Sequence, residues 1–96
     1  MPAYMIIRIA VDDPARLKPY QAVAPSVVEK YRGRFVVRGG STVTLEGPPE
    51  SRRMVVIEFP ELEDAEAFYH SKEYAEARRL REGVGVFECV AVEGVK

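Results

Sequence analysis

The chain has 96 residues, 47% hydrophobic and 30% charged, with 14 basic and 15 acidic side chains and a net charge of −1. That balance fits a globular protein and excludes broad electrostatic attraction to nucleic acid or an anionic membrane, which needs a clear cationic excess. No apolar run approaches the ~18 residues of a membrane span, and the lone Cys89 excludes an intrachain disulfide or a cysteine-based zinc site.

The length predicts one domain spanning residues 1–96. Met1-Pro2-Ala3-Tyr4 leads straight into a strand, with no basic segment and no cleavable apolar stretch, so a cytoplasmic location is expected. The first strand is predicted over Ala3 to Val11, where Met5, Ile6, Ile7, Ile9 and Val11 crowd a β-favouring run. Asp13 is placed to cap a helix that opens at Pro14. Leu17, Tyr20, Ala24, Val27, Val28 and Tyr31 then recur at helical spacing. Pro19 and Pro25 predict a kinked or two-piece helix, and Gly33 a left-handed cap.

Arg34 to Arg38 reads as a second strand. Gly39-Gly40 allows a bulge or bend there, with Ser41 to Leu45 continuing the strand. Gly47-Pro48-Pro49 turns the chain, and Arg53 to Phe59 forms a third strand that stops at Pro60. Leu62, Ala65, Phe68 and Tyr69 mark a second helix. Ser71 is placed to cap a further helical piece that carries Tyr74, Ala77, Arg78 and Arg81 on one face. Gly83 and Gly85 end it, and Val84 to Val95 reads as the fourth strand.

The order βαββαβ predicts an α+β, ferredoxin-like domain, a four-stranded antiparallel sheet with two helices on one face. The uncovered face is expected to be polar in a monomer. Yet Tyr4 and Ile6, Met54 and Val56, and Val86 and Val90 all fall on the parity opposite the helix-facing residues. A twin subunit is the expected cover, giving a homodimer with two sheets face to face. Arg8, Glu58 and Glu88 share that parity and are expected to meet. They form either a structural ion cluster at the dimer interface or a polar pocket in a sheet-lined barrel.

Several further features bear on chemistry. His70 is the only histidine; it is expected in a loop facing solvent, and no second histidine exists for a metal site. In Arg38-Gly39-Gly40, glycine permits close backbone approach to a ligand and arginine takes a carboxylate or phosphate bidentately; a β-bulge beside a surface arginine explains it equally. The motif lacks the ending of a phosphate-binding P-loop. Tyr74, Arg78 and Arg81 form a stripe that either closes over an anion or is a solvated face paired with glutamates such as Glu82. Tyr20 is a core residue or a hydroxyl presented to a cleft. No order of Ser, His, Asp or Cys signals a nucleophile, and no cofactor or metal is expected.

Asp13-Pro14, Gly33-Arg34-Phe35, Val37-Arg38-Gly39-Gly40, Leu45-Glu46-Gly47, Val56-Ile57-Glu58-Phe59-Pro60, Ala67-Phe68-Tyr69 and Arg78-Leu80-Arg81 together resemble an uncharacterised bacterial family, domain of unknown function 1330. The resemblance covers nearly the whole chain. Lys72 and His70 depart from the family pattern. The resemblance implies a dimeric α+β barrel, a superfamily that includes cofactor-free monooxygenases, lactone isomerases, haem-degrading enzymes and proteins of no known activity. Two functions follow as expectations. One is a small-molecule enzyme with isomerase-like or cofactor-free monooxygenase-like chemistry, holding an acidic organic molecule between sheet and helices at Tyr20, Arg38, Gly39, Tyr74 and Arg78. The other is a non-catalytic dimeric binding or interaction protein.

Overall fold

The protein is described by a computed structural model covering residues 1–95. In chain order it has β1 (Ala3–Val11), a 3₁₀ turn (Pro14–Leu17), α1 (Lys18–Lys30), β2 (Arg34–Arg38), β3 (Arg53–Phe59), α2 (Leu62–Tyr69), α3 (Lys72–Arg79) and β4 (Gly85–Glu93). The strands form one antiparallel sheet in the order β2-β3-β1-β4, the ferredoxin-like arrangement.

Alternation decides which side of each strand is buried. Ala3, Met5, Ile7 and Ile9 of β1 and Val55, Ile57 and Phe59 of β3 all face the helices and are buried. They meet Leu17, Val27 and Val28 from the first helical segment, Ala65 and Phe68 from α2, and Tyr74 and Ala77 from α3. Phe68 is central, with its ring centroid 5.4 Å from that of Phe59 and 4.3 Å from that of Tyr74. The Cα trace measures 32 × 31 × 16 Å, and its short dimension is one sheet plus one helical layer.

The helical segments follow their caps. Asp13 Oδ1 accepts from Ala15 N at 3.1 Å, and Pro14 and Pro19 each sit at the start of a helical piece. The first helix is therefore in two pieces, with Pro25 carried inside the second. Ser71 Oγ accepts from Tyr74 N at 3.0 Å, starting α3 after His70 interrupts α2.

Three expectations are corrected. Arg32, not Gly33, takes the left-handed conformation at the end of α1 (φ 69°). Arg32 N donates to Glu29 O at 3.0 Å and Gly33 N to Val28 O at 2.9 Å, the paired bonds of a Schellman cap. Gly33 is small for a different reason: a Cβ there would lie 2.7 Å from the Phe59 ring. Second, β2 ends at Arg38 and its bulge falls between Phe35 and Val37, before the glycines. Ser41 to Leu45 is not strand, and Val43 and Leu45 are exposed. Its β-favouring residues have no neighbouring strand to pair with, and propensity alone does not form a ladder. Third, β4 is shorter than expected at both ends.

The sheet face away from the helices is apolar and open. Val37 of β2, Val56 of β3, Ile6 of β1 and Val86, Val90 and Val92 of β4 share it. Val86 is 67% and Val90 58% exposed.

Candidate functional site

Strand parity and helix spacing bring three groups of side chains together. The first lies between α1 and the β1–β3–β2 side of the sheet. A cavity of about 30 Å³ is walled there by aliphatic side chains, among them Ile7, Leu17, Val28, Val55 and Ile57. Its polar lining consists of Tyr20, Gln21, Arg38 and Arg53. Arg38 is exposed, its guanidinium lying 4.4 Å from the centroid of the Phe35 ring on the helix side of β2. Arg53 opens β3 on the parity of Val55 and Ile57. Neither arginine has an ion-pair partner among the described residues. Gly39 has φ +72°, and a Cβ on it would stand 2.1 Å from Arg53 Nη1. The close approach that glycine permits is thus taken by a neighbouring guanidinium.

The second group lies on the other side of Tyr20. Its hydroxyl is 2.5 Å from that of Tyr74, which is buried in the core. Burial, with the Tyr74 hydroxyl beside it, pushes the Tyr20 phenol far above its ordinary value, so it stays protonated and able to donate. The Arg81 guanidinium lies 3.6 Å from the centroid of the Phe87 ring and 5.3 Å from that of Tyr20. Arg78 stacks 4.6 Å from the centroid of the Tyr69 ring and donates to its hydroxyl at 3.3 Å. Cys89, free and exposed, is close enough to Tyr20 and Arg81 to interact electrostatically, and partial desolvation of its sulfur raises its pKa.

The third group sits on the open sheet face. Arg8 and Glu88 are opposite each other in register. They are linked through the β2–β3 loop: Arg8 Nε donates to Glu50 at 3.2 Å, Arg52 Nε to Glu50 at 2.8 Å, and Arg52 Nη1 to Glu88 at 2.8 Å. Hydrogen bonds from the Arg52 side chain and backbone, with Arg8 adding another, hold the Glu50 carboxyl down to about 2. Glu58 does not join them. Arg8 pairs with Met54 and Tyr4 with Glu58, so Glu58 lies four residues along β3, about 13 Å away at strand spacing. It accepts from the Tyr4 hydroxyl at 2.9 Å and Arg34 Nε at 2.6 Å, and these bonds hold its carboxyl below the usual range.

Of the residues singled out by sequence, Tyr20 and Arg38 line the cavity under α1. Tyr74, the partner of Tyr20, and Arg78 beside it lie outside that cavity, and Gly39 follows the edge strand β2. Arg53, Phe87, Glu50 and Arg52 were missed. Arg53 had a readable signal, a charge in phase with the buried face of β3; Glu50 and Arg52 had none, because the course of their loop is not written in local pattern. His70 is exposed between α2 and α3 and lines a shallow recess with Glu66 and Cys89. Among the described residues, no three His, Cys, Asp or Glu side chains are placed to hold a metal ion, and no helix is long and apolar enough to cross a membrane.

The topology and the one-sided helical layer define a ferredoxin-like α+β domain. Residues 2–95 match the model of the family described as domain of unknown function (DUF1330), and the chain belongs to that family. No curated protein sequence matches it. Among solved structures, it is similar to a protein of unknown function from Rhodopseudomonas palustris, at 19% identity and TM-score 0.75, over 99% of this chain and 83% of that one. It is also similar to SnoaB, a cofactor-independent oxygenase from Streptomyces nogalater, at 11% identity and TM-score 0.70, over 99% and 94%. A dimeric ferredoxin-like protein of unknown function from Jannaschia sp. CCS1 matches at 10% identity and TM-score 0.64, over 98% and 100%. At these identities the likeness concerns the fold.

Proposed function

We propose that the protein is a homodimer that binds a small acidic organic molecule at the cavity between α1 and the sheet. The observation that carries this reading is the polar rim of that cavity: Arg38 and Arg53, both without ion-pair partners among the described residues, beside a wall of aliphatic side chains and Tyr20. A guanidinium fork suits a carboxylate, and the aliphatic wall suits an apolar end. The cavity has room for about one water-sized group, so only the apolar tip of a ligand enters while its carboxylate stays at the rim. Isomerase-like or cofactor-free monooxygenase-like chemistry is the reaction type this reading allows, and the similar Streptomyces nogalater structure is that of a cofactor-independent oxygenase.

A second reading is a non-catalytic dimeric binding or interaction protein. It is favoured by the absence of any carboxylate or imidazole from the cavity lining, which leaves no side chain there suited to remove a proton at neutral pH. The dimer common to both readings rests on the open valine face, flanked by the Tyr4–Glu58–Arg34 and Arg8–Glu50–Arg52–Glu88 groups, an apolar centre with a polar rim.

Native mass spectrometry of freshly purified protein tests this. A dimer carrying a reproducible small-molecule mass, lost in Arg38→Ala and Arg53→Met, is the expected result. If no carboxylic acid binds, or if binding survives both substitutions, the cavity is not the site. A bound acid that is never turned over selects the second reading.

A further inference from the structure

We propose that the recess at the C-terminal end of α3 binds the phosphoryl group of a small molecule through Arg78 and Arg81. This recess is separate from the cavity under α1 and does not depend on a ligand there.

Arg8, Arg32, Arg34 and Arg52 are all ion-paired. Among the described residues, Arg78 and Arg81 are not, although neither is fully exposed and the Nε atom of each is buried without an acceptor there. Arginine at the end of a helix is ordinarily explained by the helix dipole, and Arg78 and Arg79 do lie in the last turn of α3. The dipole accounts for the charge. It does not account for two guanidinium groups packed on aromatic rings with Nε hidden from solvent, since a buried donor without a partner is costly.

Stacking gives the arrangement its chemistry. Phe87 and Tyr20 take the face of Arg81, and Tyr69 and Tyr74 that of Arg78. Apart from the bond from Arg78 Nη1 to the Tyr69 hydroxyl, the N–H groups of the two guanidiniums have no side-chain acceptor among the described residues, and such groups can bond an oxyanion bidentately. Both arginines line a recess of about 450 Å³ together with Arg79, Glu82, Tyr69 and the Gly83 turn. Three arginines against one glutamate leave a net charge of +2. A phosphoryl group, with its charge of about −2 and its three acceptor oxygens, matches that. A monocarboxylate would leave half of it unmet.

The test reads the buried atoms directly. The arginine Nε–Hε resonances of ¹⁵N-labelled protein are followed while inorganic phosphate is added, with ionic strength held constant by sodium chloride and acetate as the comparison. Saturable shifts of Arg78 and Arg81 with phosphate, and none with acetate, are expected. Arg81→Met keeps an apolar stem against Phe87 and should weaken binding about tenfold. Glu82→Gln should tighten it, a gain that a general loss of folding does not produce. A phosphomonoester binding more tightly than inorganic phosphate supports a phosphorylated small molecule as the occupant; the reverse order supports the site with free phosphate as its source. The proposal is overturned if neither resonance shifts saturably, if acetate acts like phosphate, or if the shifts fall on Arg38 and Arg53 instead. The last result would place the anion at the cavity under α1 and leave the reading of that cavity standing.

Discussion

The hydroxyls of Tyr20 and Tyr74 meet at 2.5 Å across the seam between α1 and α3, joining residues 54 positions apart in sequence. Each is the other's hydrogen-bond partner, with the ring centroids 6.2 Å apart. Tyr20→Phe leaves the Tyr74 hydroxyl buried and unpaired, and should destabilise the protein by about 1–3 kcal/mol. The double substitution Tyr20→Phe/Tyr74→Phe removes both partners and should cost less than the sum of the singles. Urea denaturation of the four proteins measures the coupling; strict additivity would show that the pair contributes nothing beyond its rings.

Gly33 is held by contact and not by backbone angle. A Cβ there would meet the Phe59 ring at 2.7 Å and the Val28 methyl at 2.9 Å, both in the packed core. Gly33→Ala should therefore cost about 1–3 kcal/mol as overpacking. Gly40, with nothing within 4 Å of its Cβ position, serves as the control. Gly40→Ala should stay within about 0.5 kcal/mol of wild type in the same denaturation experiment.

Stability should fall in acid through identified carboxylates. Glu50 titrates at about 2 in the folded chain, against an ordinary value of 4.5, because Arg52 and Arg8 bond its charged form. Glu73 is likewise at about 2, bonded chiefly by Lys30. Depressed values favour the folded state once the unfolded chain is ionised, so this contribution is fully present above 4.5 and lost as pH falls from there to about 2. Glu50→Gln should flatten that fall without altering the profile between pH 5 and 7. An unchanged acid limb would mean that the Arg8–Glu50–Arg52 bonds do not persist in solution.

The open valine face predicts self-association. Val90 sits opposite Ile6 near the middle of that face and is 58% exposed. Sedimentation should show a wild-type dimer at micromolar concentration, and Val90→Glu should give a folded monomer, since a carboxylate facing its symmetry mate is both desolvated and repelled. A wild-type monomer would require the face to be covered in some other way.

The sequence by itself determined the elements and their faces. A β-favouring run over Ala3–Val11 and the stop at Pro60 after Arg53–Phe59 placed β1 and β3 at their observed bounds, and parity assigned their faces, because a side chain on a pleated strand has only two sides to choose from. Asp13, Pro14 and Ser71 marked helix starts because capping is chemistry within a few residues. Tertiary structure decided what depends on distant neighbours. Register placed Glu58 with Tyr4 and Arg34, away from Arg8, and parity cannot tell one same-face position from the next. The β2–β3 loop brought Glu50 and Arg52 over the sheet, and Ser41 to Leu45 stayed out of it for want of a strand to pair with. The meeting of Tyr20 with Tyr74, and the stacking of Arg81 on Phe87, join separate elements through packing, which no local spacing encodes.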